Sequence, residues 1–285
     1  MAIRLLVRIL CGVQIIPVLD LAGGVAVHAE GGDRSGYRAV RSAVLPGGAG
    51  DPVALLRAYR EILGARECYL ADLDAIRGGM VQRRLVREMA QLECGPACGL
   101  LVDAGVALPA QAAELLACGV SGVVVGLETL RAFADLQTLV ERIGATRVSF
   151  SLDLRLGSPI VHPALGQVLP GRPDALNLAR QAVTAGVHSL VVLDLGRVGA
   201  GCGADLELLQ SLRRRFSAVR LIAGGGVRSR QDLERMRDAG CDAALVATAI
   251  HSGRITAADF AALAESRPPA RQSAANDSRY VADCP

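Results

Sequence analysis

Residues 100–126 and 221–247 are one unit written twice. LLVDAGVALPAQAAELLACGVSGVVVG aligns without a gap to LIAGGGVRSRQDLERMRDAGCDAALVA, placing Gly105 opposite Gly226, Gly119 opposite Gly240 and Gly126 opposite Ala247. Ile16–Leu21 (IPVLDL) answers Phe150–Leu154 (FSLDL), which pairs Asp20 with Asp153. DLDAIRGG from Asp72 and DLGRVGAG from Asp194 continue the likeness. A duplicated half of this size, unable to bury its apolar face alone, is expected to pack against its own copy.

Each half alternates short apolar runs with amphipathic stretches. Eight runs read as strands: Ile15–Asp20, Cys68–Asp72, Leu100–Asp103, Gly122–Gly126, Val148–Asp153, Ser189–Asp194, Arg220–Ala223 and Ala243–Ala247. Several lack strict polar alternation, as strands covered on both faces do. The spacing predicts helices over Asp51–Leu63, Pro109–Ala117, Ala175–Ala185, Asp205–Phe216, Arg230–Ala239 and Ala257–Glu265. Asp51 followed by Pro52 is an N-cap and first-turn signal, and Gly64, Gly119, Gly186 and Gly240 are stops. Such β–α units build either an open doubly wound sheet or a closed barrel. Eight strands in 285 residues favour the barrel. The reading is α/β: a single (β/α)8 TIM barrel of two homologous half-barrels over 15–266. Residues 1–14 lead in, and the Pro/Ser/Ala-rich 267–285 form a flexible C-terminal tail.

Composition narrows the chemistry. All 31 basic residues are Arg, so lysine Schiff bases, a pyridoxal-phosphate anchor and a P-loop are excluded. Any anion must be held by Arg, His or backbone N–H groups. Trp is absent and Phe plus Tyr are few, which argues against stacking platforms for bases. A net charge of +3, interspersed along the chain, argues against nucleic acid or a membrane surface as partner. No run is long enough to span a bilayer, and Arg4 and Arg8 interrupt the apolar Met1–Leu10, making it a poor secretory signal. The eight Cys are scattered, with only Cys94 and Cys98 close together, and read as buried thiols of a reducing cytoplasm rather than zinc ligands.

Active sites of such barrels lie at the C-terminal ends of the strands. Four strands end in Asp: Asp20, Asp72, Asp153 and Asp194. Each either serves chemistry or caps the next helix. Asp20 and Asp153 occupy matching positions of the two halves, where facing carboxylates can divide acid and base roles. Gly224-Gly225-Gly226-Val227 after the seventh strand is a candidate phosphate loop, because glycine amides opening a helix receive anions. Its duplicated counterpart is Asp103-Ala104-Gly105, where a carboxylate about 4 Å from a phosphate would repel it by roughly 4 kcal/mol at an effective dielectric near 20, so that either this loop no longer binds phosphate, or Asp103 points away, or it binds something cationic. Gly126 and Ala247 close the fourth and eighth strands. His28 and His162 lie in loops that either reach the site or face solvent, while His188 and His251 look structural. Arg34, Arg38 and Arg41 either meet an anionic substrate or solvate the first loop.

IIPVLDLAGG (Ile15–Gly24), YLADLDA (Tyr69–Ala75), FSLDLR (Phe150–Arg155) and IAGGGVRS (Ile222–Ser229) resemble the histidine-biosynthesis barrel family, over about residues 14–265. The second-strand DLDA is closer to its isomerase than to its cyclase. The resemblance implies an Amadori rearrangement of an aminoaldose to an aminoketose, with Asp20 and Asp153 as acid and base. It implies phosphates on the loops around Gly105, Gly126, Gly225, Gly226, Val227 and Ala247, and no metal or organic cofactor. Possible substrate contacts are Asp72, Asp194 and His28. The departures are Asp103-Ala104-Gly105, Ala247, Val198-Gly199-Ala200 where the family has Asp-Gly-Thr, and the lack of a basic residue near His28. Three readings remain: an isomerase of this type, a divergent paralogue acting on another small phosphorylated metabolite of cofactor or one-carbon metabolism, singly phosphorylated or not, or a non-catalytic metabolite-binding barrel. All three have a small phosphorylated metabolite as partner and leave the oligomeric state open.

Overall fold

The computed structural model describes residues 12–28, 36–92, 98–169, 171–197 and 203–265. The readings made for Met1–Leu10, Arg34, Cys94, Val198–Ala200 and the tail 267–285 lie outside these residues.

Eight parallel strands close a barrel: β1 (Gln14–Ala22), β4 (Glu67–Asp72), β5 (Gly99–Asp103), β6 (Gly122–Gly126), β7 (Val148–Arg155), β9 (Ser189–Asp194), β10 (Arg220–Gly224) and β11 (Ala243–Val246). They pair in that order, and β11 returns to β1 with Gln14 opposite Ala243 and Ile16 opposite Leu245. The closed barrel of eight is the architecture expected, with strand ends within two residues of the sequence reading.

The duplication is visible in the backbone. Helices Pro109–Leu116 and Arg230–Asp238 follow β5 and β10, and both end at a left-handed glycine, Gly119 (φ 96°) and Gly240 (φ 92°). A second correspondence was not read from the sequence. β1 runs past Asp20 and turns at Gly23-Gly24 into antiparallel β2 (Val25–His28), which pairs in turn with β3 (Arg38–Ala39). β7 runs past Asp153 and turns at Leu156-Gly157 into β8 (Ser158–Pro159). Both turns have positive φ at both residues, and Leu156 (φ 50°) is the non-glycine residue in that region among the described residues.

The six helices expected are present. Asp51 accepts from the amides of Val53 and Ala54 at 3.0 Å ahead of helix Pro52–Glu61, and Ser229 caps helix Arg230–Asp238. Among the described residues, two further helices of eight or more residues, Arg83–Ala90 and Phe133–Ile143, lie beyond the pattern. The first buries only Val86 and Met89 among charged residues, and neither has a side-chain cap, so both lack the marks a reader of sequence relies on.

Each strand buries both faces. Ile16, Tyr69, Ala71, Leu101, Val124, Val191 and Ile222 fill the barrel, with Val18 and Leu193 packed on them. The alternate residues, such as Leu19, Leu70, Val102, Phe150 and Leu190, join the larger core under the helices. Alternation along a strand therefore decides which side chains can reach the barrel mouth.

Candidate active site

A cavity of about 230 Å³ opens at the C-terminal ends of the strands. Continuing the inward parity of Ile16 and Val18 brings Asp20 to its wall, and the inward parity of Leu101 brings Asp103. Asp153 alternates with the outward Phe150, Leu152 and Leu154 and also lines the cavity. The same count turns Asp72 and Asp194 outward, because Ala71 and Leu193 face in.

Asp153 is buried, at 4 % exposure. The Ser151 hydroxyl donates to its Oδ1 at 2.6 Å, while Oδ2 has no hydrogen-bond partner among the described residues. Burial pushes its carboxyl up from 3.8 to about 8; the Ser151 bond opposes this, and the charges of Asp103 and Glu128 add to it. Gly126 stands behind it. A Cβ there would lie 3.1 Å from Asp153 Oδ2, so this glycine makes room for the carboxyl rather than lining the cavity. Asp20, partly buried on β1, shares the cavity. A buried acid pushed upward by desolvation thus shares the cavity with the more accessible Asp20.

The two ends of the cavity differ. At one, Gly225 and Gly226 take φ of 95° and 86°, and a Cβ on Gly225 would meet the Asp194 carbonyl oxygen at 2.5 Å. Only glycine lets the loop after β10 approach the strand ends this closely. Val227, Ala247, Arg228 and Arg254 line this end. Arg228 is held by Asp232 through Nε and Nη2, each at 3.0 Å. His28 also lines the cavity, with Nε2 3.2 Å from Thr248 Oγ1. At the other end Tyr69 O–H donates to Asp103 Oδ2 at 3.1 Å, and the Gly105 amide donates to Asp103 Oδ1 at 3.2 Å. Burial, then the Asp103 charge, raises the Tyr69 phenol well above its ordinary value. Gly105 itself does not line the cavity.

Three candidates hold backbone amides. Asp72, fully buried, accepts from the amides of Ala75 and Gln82 at 3.2 and 2.9 Å. Asp194 accepts from the amides of Leu156, Gly157 and Gly196 and from Arg197 Nε. The His162 side chain caps helix Pro163–Val168 through the Ala164 amide. His251 is buried against Ser42, and burial pushes it down to about 4, as a structural histidine would be. Glu128, Tyr69 and Arg254 line the cavity without having been singled out from the sequence. Parity marked Tyr69, and a strand-end search widened by two residues reaches Glu128. Arg254 lies beyond the helical turn that follows β11 and has no such mark.

Of the four described cysteines, Cys68, Cys118 and Cys241 are buried and Cys98 is partly buried. Among the described residues no helix is long and apolar enough to cross a membrane.

The model of the family described as histidine biosynthesis protein matches residues 14–256. The chain is 32% identical over 243 residues to a Thermus thermophilus isomerase of 1-(5-phosphoribosyl)-5-((5-phosphoribosylamino)methylideneamino)imidazole-4-carboxamide, covering 85% of this chain and 96% of that one. It is 28% identical to the enzyme of that name from Listeria welshimeri over 247 residues, 86% of this chain and 96% of the relative. It is also 28% identical over 242 residues to an uncharacterized protein of Methanocaldococcus jannaschii, 84% of this chain and 94% of that one.

Proposed function

The chain belongs to the histidine biosynthesis protein family and is an isomerase of the aldose–ketose type; on that premise we propose that it carries out an Amadori rearrangement of a phosphoribosyl N-glycoside, with Asp153 as the acid and Asp20 as the base. The observation that carries this reading is the pair itself: Asp153, buried and hydrogen-bonded by Ser151, in one cavity with the partly buried Asp20, with burial pushing the Asp153 carboxyl up to about 8.

Asp153 gives its proton to the ring oxygen as the C1–O bond breaks, and the glycosidic nitrogen supplies the electron pair that forms the C=N bond. Asp20 takes the proton from C2, and the resulting enamine holds the electrons of that C–H bond. The 2-hydroxyl then returns a proton to Asp153 while C1 receives one from Asp20. Both carboxyls end as they began, and the product is the aminoketose. Burial of Asp153 supports the first step, since it keeps the acid loaded until the substrate arrives. Gly225, Gly226 and Val227, with Arg228 and Arg254 alongside, hold the substrate phosphate and place C1 and C2 between the carboxyls. In this reading the metabolite partner is small and phosphorylated, and the enzyme works in the cytoplasm.

The test is solvent exchange. Wild-type protein in D2O with a 5-phosphoribosyl N-glycoside loses the C2–H resonance and forms aminoketose; Asp20→Asn abolishes both. Folded wild-type protein that neither exchanges C2–H nor turns over any such N-glycoside would remove the reading.

A further inference from the structure

We propose that this isomerase takes a substrate with a single phosphate, and that Asp103 closes the duplicated counterpart of the phosphate loop to a second one. The inference rests on the proposed function and concerns the far end of the same cavity.

The chain supplies its own comparison. β5 and its following turn align with β10 and its turn at a constant offset, so Asp103-Ala104-Gly105 stands where the other half has Gly224-Gly225-Gly226. At Gly224 a Cβ would lie 2.9 Å from Leu193 Cδ1 and 3.1 Å from Leu245 Cβ, so that half leaves no space for a side chain there. The other half has a carboxylate at this position, and it reaches the cavity. Gly105 keeps the left-handed backbone of its partner, φ 64° against 86° at Gly226. Ala104 lacks the positive φ of its counterpart Gly225 (95°), so the loop differs at its middle residue, and the amide of its last residue has been taken. The Gly105 amide, which would face an anion, instead donates to Asp103 Oδ1 at 3.2 Å, and Tyr69 O–H donates to Oδ2 at 3.1 Å. A phosphate arriving here would have to displace an intramolecular anion from the same amide.

Charge follows the same division. Arg228 and Arg254 belong to the Gly225–Gly226 end, while Asp103 and Glu128 bear on Asp153. Arg77, whose guanidinium lies over the Tyr37 ring at 5.7 Å, also lines the cavity. The relatives' named substrate carries two phosphoribosyl groups. Here the second group is one that donates hydrogen bonds to carboxylate and phenol oxygens, such as a hydroxyl or an amine.

The deciding measurement is anion occupancy in crystals of the full chain soaked in sodium tungstate, a phosphate mimic located by its anomalous signal. Wild-type protein is expected to show tungstate at Gly225–Gly226 and none at Gly105. Asp103→Gly, which copies the residue of the other half, is expected to gain a site at Gly105, with phosphate affinity there at least tenfold higher by calorimetry. Tungstate at both loops of the wild type overturns the inference and leaves the isomerase reading intact. An Asp103→Gly protein that still binds at one loop only overturns the role given to Asp103. No tungstate at Gly225–Gly226 overturns the phosphate placement on which the inference rests, whereas C2–H exchange reports separately on the isomerase chemistry. The wild-type occupancy is decisive even if Asp103→Gly fails to fold.

Discussion

Burial pushes the Asp153 carboxyl up to about 8, and this has consequences in both activity and stability. An acid with its carboxyl near 8 is loaded at neutral pH, so kcat is expected to fall as pH rises through about 8. The limb should move with the groups around it. Ser151→Ala removes a hydrogen bond that favours the ionised form and shifts the limb upward; Glu128→Gln removes a charge that disfavours it and shifts the limb downward. A limb that stays put in both variants would assign the titration to another group. Asp153→Asn is expected to lower kcat by about 10²–10⁴-fold, the usual span for a positioned acid. Stability runs the other way. The folded-state pKa is raised, so the contribution is fully present below about pH 4, where folded and unfolded chains are both protonated. It is lost as pH climbs towards about 8, because the unfolded chain releases a proton that the folded one keeps. Asparagine does not titrate. The melting temperature of Asp153→Asn should therefore gain on the wild type between about pH 4 and pH 8 and hold that lead above it. A constant gap across that range would contradict the buried, protonated carboxyl.

The loop after β10 shows how an element turns glycine into function. Gly225 packs against the backbone of Asp194, whose side chain holds the Leu156–Gly157 turn through two amides at 2.8 and 2.9 Å. A methyl group at Gly225 meets the Asp194 carbonyl and also asks alanine to adopt φ 95°. Gly225→Ala is expected to cost about 1–3 kcal/mol of stability and to raise KM for a phosphorylated substrate at least tenfold. Urea unfolding and steady-state kinetics check the two parts. Unchanged KM in a folded variant would take phosphate binding away from this loop. The elements also explain what the sequence conceals about the site. Asp20, Asp72, Asp153 and Asp194 look alike as strand-ending carboxylates, yet two line the cavity and two tie down backbone amides. Alternation sorts them: counted from the inward residues Val18, Ala71 and Leu193, the parity sends Asp20 in and Asp72 and Asp194 out. The apolar runs show little polar alternation because both faces are buried, so that parity is hard to anchor until the barrel is built. Glycine hid its part differently. Gly126 and Gly105 belong to the site through what they leave room for or donate to, which composition does not express.

For the whole molecule, the repeat made the barrel legible, because two four-stranded halves with matching strand ends leave little choice but closure. What it left unread is how the seam between last and first strands is secured. At the N-terminal end of the barrel, opposite the cavity, Arg220 of β10 donates from Nη1 to Glu67 Oε1 of β4 at 3.1 Å and from Nη2 to Gln14 Oε1 of β1 at 3.3 Å. Gln14 Nε2 donates to Glu67 Oε2 at 3.2 Å. The three side chains join strands on both sides of the β11–β1 closure, and neither sequence spacing nor the repeat brings positions 14, 67 and 220 together. The Glu67 carboxylate is 13% exposed, and removing its cation leaves a charge that water only partly reaches. Arg220→Met is therefore expected to lower stability by about 1–3 kcal/mol, discounted for the one-third exposure of the guanidinium. In a domain of this size that is a fall of roughly 2–4 °C in Tm for each kcal/mol. Glu67→Gln keeps an acceptor for Arg220 and should cost less than Arg220→Met. Because this face of such a barrel supports the fold rather than the chemistry, kcat and KM of both variants should stay within about twofold of wild type at 25 °C. A variant that loses turnover in step with Tm would show that the floor and the mouth of the barrel are coupled, and that the division of labour between its two ends is not the one the strand ends describe.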